Sequence, residues 1–494
     1  MNKIFEEKTG AEWLANGVVI VLILLFTVGL GYIIAIGGLK SALALLVLPP
    51  ILFFLNRFFI FPLIGLFTAL FFAFIAIGVT RYIPGIPLGL SVDGFLVMSY
   101  IALFFKNFYT GVDWKPAKND LSLLSLIWFL YAVFEFFNPE ALSRTAWFYA
   151  MRGMNLYMLL TIPLAFLLLN KMKFVWFFLY VWGVFSILGT LKGIQQLYIG
   201  PDYAEQRWLD TTGGITHIIF GELRVFSFFS DAGQFGAAQG HAGIVGMILF
   251  FIVKGWKKKV FFLMMGLGGL YGMMISGTRG AISVPMAGML LYLIHRKNFR
   301  ALLVGSLIII GVYSFFRYTY IGQSNAQIRR MRTAFTPTDD ASYLVRMQNR
   351  AILKTYLASR PFGGGIGSAG DWGKRFSPQG FLANVATDSW YVQIWAEQGI
   401  VGLILHLLIL GYIIIKSSYY IMFTIKDTEL KLILSALASG IVGMMAASYG
   451  NGVFGQMPSG IIIYICMAIL FMAPQFDNKL VSSTQTDLMK MEKT

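Results

Sequence analysis

Long apolar runs alternate with short polar turns along this chain, and that alternation sets its architecture. The first set lies near residues 17–38, 41–55, 58–79, 89–105, 121–137, 154–169 and 174–198. After a polar gap come 232–253, 260–276, 280–294 and 301–316; after a longer one, 389–415, 431–449 and 459–473. Such runs are too long and too many for soluble core helices, and lipid leaves backbone groups no partner outside their own helix. The pattern therefore predicts an all-α polytopic membrane protein with about 14 transmembrane helices. The second run contains Pro49-Pro50 and reads as a broken or paired half-span. The first follows a polar MNKIFEEKTGAEW with no small-residue cleavage pattern and reads as a retained span. The expected parts are a helix bundle over 1–316, a large polar loop over 317–388, further spans over 389–474 and a polar tail over 475–494.

Composition agrees with this reading. Of the 494 residues 57% are hydrophobic and 13% charged, with a mean hydropathy of +0.71. The single Cys466 lies in the last apolar run, which leaves no disulfide to form within the chain. The four histidines show no paired metal-ligand spacing, so no His/Cys metal site is expected.

Charge orients the chain. With the N-terminus inside, alternate turns read KNFYTGVDWKPAKND, NKMK, KGWKKK, HRKNFR and KSSYYIMFTIKDTELK, lysine-rich as cytoplasmic loops are. The loop 199–231, the SGTRG turn at 276–280 and the large loop then fall outside. Arginine follows the opposite partition: Arg81, Arg144, Arg152, Arg207, Arg224, Arg279 and those of the large loop are outer. Guanidinium groups grip phosphate or carboxylate with two parallel bonds, whereas lysine is a hydrated point charge. Placing them against the orienting rule points to an anionic ligand such as a lipid diphosphate or an acidic glycan.

The polar interruption carries most of this chemistry. Asp339-Asp340-Ala341-Ser342 offers capping side chains for a helix that Pro361 must end. Over residues 341–359 such a helix sets Arg346, Arg350 and Lys354 in one basic stripe, with Leu344, Val345, Ala351, Ile352 and Tyr356 mainly opposite. Gly363, Gly364, Gly365 and Gly367 follow, where backbone can turn tightly and approach a ligand. The loop thus reads as the lid and much of the floor of an active site. Arg224, Asp231 and Gln234 sit just before a glycine- and alanine-rich span, at its outer mouth. Asp388 precedes a long apolar run and reads either as its N-cap or as a general base. Trp372, Trp390, Tyr391 and Trp395 are candidates for stacking on sugar rings.

The order RVFSFFSDAGQFG, SGTRG, VRMQNR, RPFGGGIG and DSWYVQIWAEQGIVG resembles the O-antigen ligase/polymerase superfamily, over roughly residues 120–450. The resemblance implies a GT-C-like membrane glycosyltransferase of the bacterial inner membrane, working on the periplasmic face. It implies an undecaprenyl-diphosphate-linked glycan as donor, with no cofactor, metal, nucleotide sugar or nucleic acid. An acceptor glycan or lipid A-core, membrane lipids and a chain-length regulator complete the implied partners. By motif, Arg224, Arg279 and Arg346 match family arginines that bind and stabilise the diphosphate; with the readings from position above, Arg224 and Asp388 are the catalytic candidates and Arg279, Arg346, Arg350, Asp231 and Gln234 the substrate-binding ones. Ligases of this family typically carry His-Asn where this chain has Asp388-Ser389, which favours repeat-unit polymerase over ligase to lipid A-core or protein. A lipid-linked oligosaccharide flippase is the reading from another class, but its repeat symmetry and midplane charges are not found in the sequence.

The orientation has a direct test. Cysteines introduced at Gln323 and Ser377 should react with an impermeant maleimide in intact spheroplasts; labelling only after lysis refutes the outer placement.

Overall fold

The computed structural model describes residues 17–219, 221–335 and 341–480. The polar N-terminal segment through residue 16, the Asp339-Asp340 cap and the tail from 481 lie outside the described residues. Every apolar run is helical. Residues up to Phe61 form a unit of their own. There α1, Gly17–Ile60, runs through Pro49 and Pro50, and its non-helical point is Gly38 (φ 60°, ψ −149°). The break expected at the prolines is therefore at a glycine, which reaches positive φ without a Cβ clash.

The second unit begins with α2 (Leu63–Thr80), α3 (Gly89–Thr110), α4 (Asp120–Glu135), α5 (Arg144–Leu168) and α6 (Met172–Tyr198). It continues with α7 (Ala232–Ile252), α8 (Trp256–Ile275), α9 (Ser283–His295) and α10 (Phe299–Tyr318). Between α10 and the next long helix lie α11 (Ala326–Arg332), α12 (Ala341–Leu357) and α13 (Gly370–Phe376). The chain then forms α14 (Trp390–Tyr419), α15 (Thr428–Ala447) and α16 (Ser459–Phe471). Among the described residues nine helices are long and apolar enough to cross a membrane, or ten if the bent pair Ser459–Phe471 and Ala473–Leu480 is one span. The fourteen expected runs exceed this count for physical reasons. Two of them merge in α1, α4 and α9 have 16 and 13 residues, and the apolar part of α10 covers only Leu302–Tyr318, all short of the ~20 that a hydrocarbon core needs.

Helices α7 and α8 cross where glycines face each other. A Cβ on Gly246 would lie 2.7 Å from the Gly266 nitrogen, and one on Gly269 would lie 2.7 Å from the Gln239 oxygen. Small residues thus let these two helices approach backbone to backbone. By chain alternation, the N-terminal ends of α7, α9, α14 and α16 and the C-terminal ends of α8 and α15 share one side of the bundle. Lys171, Lys254, Lys297 and Lys426 occupy turns at the other.

The glycine cluster serves packing. Gly363 and Gly364 dock on a break in α14, where Gly399 takes φ 67°. The Gly364 amide donates to the Ala396 oxygen and the Val401 amide to the Pro361 oxygen. Buried Glu397 accepts from the Ala369 amide at 3.1 Å. These glycines approach protein backbone, where the sequence had pointed to a ligand. Helix α12 also departs from expectation. Leu353 and Leu357, on the side of the basic stripe, are the buried residues and pack with Leu382 and Ala396. Leu344, Val345 and Ile352 point outward at 50%, 52% and 47% exposure.

Gly399→Ala should destabilise the fold. Its Cβ would fall 2.0 Å from the Pro361 oxygen at a left-handed φ, whereas nothing lies within 4 Å of a Cβ on Gly411 in the same helix. Melting in detergent should drop for Gly399→Ala and stay level or rise for Gly411→Ala; equal behaviour would contradict the docking.

Candidate functional site

Six separated segments meet in a cavity of about 420 Å³ at the arginine-bearing end of the bundle. Arg224, Arg279, Arg330 and Arg346 line it with Asp231, Asp388, Thr278, Asn451 and Gln456. Four guanidinium groups against two carboxylates leave a formal excess of two positive charges.

Arg224 is delivered by a short hairpin in which Ile218–Ile219 (β1) pairs antiparallel with Glu222–Leu223 (β2). Its amide donates to the His217 oxygen at 2.7 Å. Its Nη1 donates to the Thr216 oxygen at 3.0 Å and its Nη2 to Thr278 Oγ1 at 3.2 Å, while its buried Nε makes no hydrogen bond. Burial lowers its pKa, Asp231 opposes that, and Arg279 and Arg346 lower it further. These guanidinium groups therefore feel one another. The RVFSFFSD turn that follows is clamped from behind. Arg81 lies between the rings of Trp208 and Phe226, at 4.5 and 4.4 Å. It donates to the carbonyls of Ser227, Phe229 and Ser230. Gln196 Oε1 accepts from the Ser227 amide at 2.7 Å. Buried His217, its pKa pushed down to about 4 chiefly by burial, accepts at Nε2 from the Ala232 amide.

The SGTRG turn explains itself by what lands on its glycines. Arg330 Cδ would lie 3.2 Å from a Cβ on Gly277, and Asn451 Nδ2 would lie 2.3 Å from one on Gly280. Arg279, between them, donates to Thr333 Oγ1 at 3.1 Å. Arg346 reaches from α12 to Asp388, Nε to Oδ2 at 3.3 Å, with both side chains partly exposed. Such a contact contributes little to stability.

The two aspartates differ. Asp231 caps α7, accepting from the Gln234 amide at 2.9 Å and from Ser230 Oγ at 2.8 Å. The cap of α14 is Ser389, whose hydroxyl accepts from the Val392 amide, so Asp388 does not fill that role. The adjoining Trp390 amide donates to the Ser448 and Asn451 oxygens, at 3.1 and 3.2 Å, which ties this segment to the loop after α15.

Of the residues expected from sequence, Arg224, Arg279, Arg346, Asp231 and Asp388 line the cavity. Gln234 does not: it is fully buried, and its side-chain Nε2 donates to Ser459 Oγ at 2.9 Å and to the Met457 oxygen at 3.2 Å. Arg350 lines the neighbouring groove, donating to the Tyr449 hydroxyl at 2.7 Å with its guanidinium over that ring. Trp390 is buried on His406, Tyr391 bonds the Met445 oxygen, and Trp395 packs beside Leu353. Trp372 instead stacks on Tyr149 at 4.9 Å and lines an adjoining cavity of about 640 Å³ that shares Gln456 with the first. Sequence reasoning missed Arg330, Asn451 and Gln456. Arg330 had only its membership of the arginine-rich loop to mark it, and the other two had no signal.

Residues 261–407 match a family model described as O-antigen ligase. No curated protein matches the chain. The matched segment carries Arg279, Arg330, Arg346 and Asp388, while Arg224, Asp231 and Asn451 reach the cavity from outside it.

Ser389→Ala should lower stability by about 1 kcal/mol, the usual loss for an N-cap. Asp388→Asn should leave the detergent melting temperature almost unchanged, because its one ion pair is exposed. The reverse order would return the cap to Asp388.

Proposed function

From its place in the O-antigen ligase/polymerase superfamily, we propose that this chain is a membrane glycosyltransferase that moves glycan from a polyprenyl-diphosphate carrier to an acceptor sugar. The observation that carries the reading is the convergence of Arg224, Arg279, Arg330 and Arg346 on one cavity beside Asp388. The acceptor hydroxyl oxygen attacks the anomeric carbon, and the bond from that carbon to the diphosphate breaks. Its electron pair passes to the diphosphate oxygen, where prepositioned guanidinium groups stabilise the growing charge. The hydroxyl proton passes to Asp388. At rest Asp388 is held by Arg346 through one long, partly exposed contact. An arriving diphosphate competes for Arg346 and releases the carboxylate as the base. The adjoining cavity, with Trp372 stacked on Tyr149, offers sugar-sized space next to the reacting centre.

The reading extends to an outer-face site in a bacterial inner membrane, in line with the turn lysines and the arginine end lying on opposite sides of the bundle. Repeat-unit polymerisation is the preferred reaction, because Asp388 stands where ligases of the resembling family carry histidine. The family description favours ligation as the second reading. Deleting the gene separates them. Single repeat units left on the surface acceptor indicate a polymerase, and polymer accumulating on the lipid carrier indicates a ligase.

Arg224→Ala, Arg279→Ala and Arg346→Ala should each cut transfer by about 10²–10³-fold at normal abundance, with lysine a poor substitute wherever two diphosphate oxygens are held at once. Asp388→Asn should lower turnover by roughly 10²–10⁴-fold. Wild-type glycan profiles in all three alanine variants would move the diphosphate site elsewhere. Near-normal turnover of Asp388→Asn with purified donor would remove it as base.

A further inference from the structure

We propose that His217 is the positioning residue of Arg224, a neutral ring protonated at Nδ1 that ties the hairpin carrying Arg224 to the first residue of α7. The proposal rests on the diphosphate reading of the cationic cavity given above and adds what holds Arg224 in place within it. Residues 203–217 form three successive short helical turns, Tyr203–Trp208, Leu209–Gly213 and Gly214–His217. A helix end leaves carbonyl oxygens without amide partners. Arg224 takes two of them, its amide donating to the His217 oxygen at 2.7 Å and its Nη1 to the Thr216 oxygen at 3.0 Å.

The partners of the His217 ring fix its tautomer. Nε2 lies 3.3 Å from the Ala232 nitrogen, and a backbone N–H can only donate, so Nε2 carries no proton. Nδ1 lies 2.9 Å from the Gly213 oxygen, which can only accept, so Nδ1 carries it. The Thr216 hydroxyl, 2.8 Å away, accepts from the same N–H and donates to the Gly213 oxygen at 3.3 Å. Burial favours the same neutral state and pushes the pKa down to about 4, while the charged groups that face the ring, Asp231, Arg224 and Arg81, oppose one another. The rings of Trp208 and Phe226 meet it edge-on at 5.0 and 5.1 Å. Each of the other three histidines leaves a buried ring nitrogen without a hydrogen bond; His217 has both engaged.

The contacts form a closed circuit around Arg224. Ala232 is held at both ends, its amide by His217 Nε2 and its oxygen by Thr278 Oγ1 at 2.7 Å. Thr278 Oγ1 also accepts from Arg224 Nη2 at 3.2 Å. The circuit thus runs from the Arg224 backbone through His217, Ala232 and Thr278 back to the Arg224 guanidinium. Asp231 covers the Gln234 amide at the same helix start, so α7 has one free amide capped from its own chain and another from the arginine's hairpin. A ring protonated at Nε2 would set two donors against each other and open the circuit.

The test uses the full-length protein in detergent. With histidine labelled at the ring nitrogens, the resonances lost in His217→Gln should report an unprotonated Nε2 and a protonated Nδ1 at neutral pH. Any other protonation state overturns the proposal. Binding of inorganic pyrophosphate, read by calorimetry, reports the position of Arg224. His217→Leu and His217→Asn remove the acceptor for the Ala232 amide and should weaken binding about tenfold or more. His217→Gln, whose Oε1 can take the place of Nε2, should stay within about threefold of wild type. The Asn variant keeps a donor for the Gly213 oxygen and carries the comparison if the Leu variant misfolds. In an Arg224→Ala background neither should add a further loss, because the ring acts through that arginine. Losses that repeat in full in that background, equal losses for Gln and Asn, or wild-type binding by Asn overturn the proposal, and so does a wild type that binds no pyrophosphate. If wild type transfers no glycan while binding keeps this order, the transfer reading fails and the positioning role stands.

Discussion

Guanidinium groups that share a cavity repel one another, and the surrounding architecture answers that repulsion. At the effective permittivity of a protein surface two like charges in contact cost about 4 kcal/mol. No flexible loop would gather Arg224, Arg279, Arg330 and Arg346 unaided. Three of them are held by something other than charge balance, and Arg346 by Asp388. Arg224 is pinned by a carbonyl and a threonine hydroxyl, Arg279 by Thr333, and the stem of Arg330 by a glycine surface. Behind them Arg81 spends its charge on carbonyl oxygens between two aromatic rings, a structural arginine serving a ligand-facing one. The scaffold thus gathers four cations around one cavity, the kind of preorganisation that the anionic leaving group of the proposed reaction would use.

Much of this was legible in the chain, for reasons that differ by residue. The SGTRG turn is short and lies between apolar runs, so Arg279 had to sit near a bundle end. RVFSFFSD and DSW precede spans that start on the same side, so Arg224, Asp231 and Asp388 had to share a face. Asn451 and Gln456 were not legible because their place depends on how the loop after α15 returns over Gly280, a tertiary fact. Gln234 misled because its position was right and its direction was not: a helix's first turn points one side chain to the mouth and the next into the core. Helix α12 misled because it has two apolar sides, and a hydrophobic pattern does not say which meets protein and which meets lipid.

The partition of lysine and arginine gains a physical basis from the same architecture. Lysines in the turns at one end orient the chain and need only be hydrated. At the other end helix starts present free amides, and serine or aspartate caps occupy some of them. Arginine there adds directed donors to a surface already favourable to anions. On the proposed reading, orientation and ligand binding fall to different cations at opposite ends of one bundle.

The two aspartates of the cavity show how neighbouring side chains divide the work. Asp231 is committed, one oxygen on the amide that starts α7 and the other on Ser230. Asp388 would be equally committed if it capped α14, but the next residue takes that amide instead. With Ser389 as the cap, the Asp388 carboxylate keeps a single replaceable partner, Arg346, a residue of the same cavity. In the proposed mechanism, a ligand that draws Arg346 away from Asp388 breaks one contact and frees the base in the same movement. In this way a serine one position along the chain leaves the aspartate free for the role proposed for it.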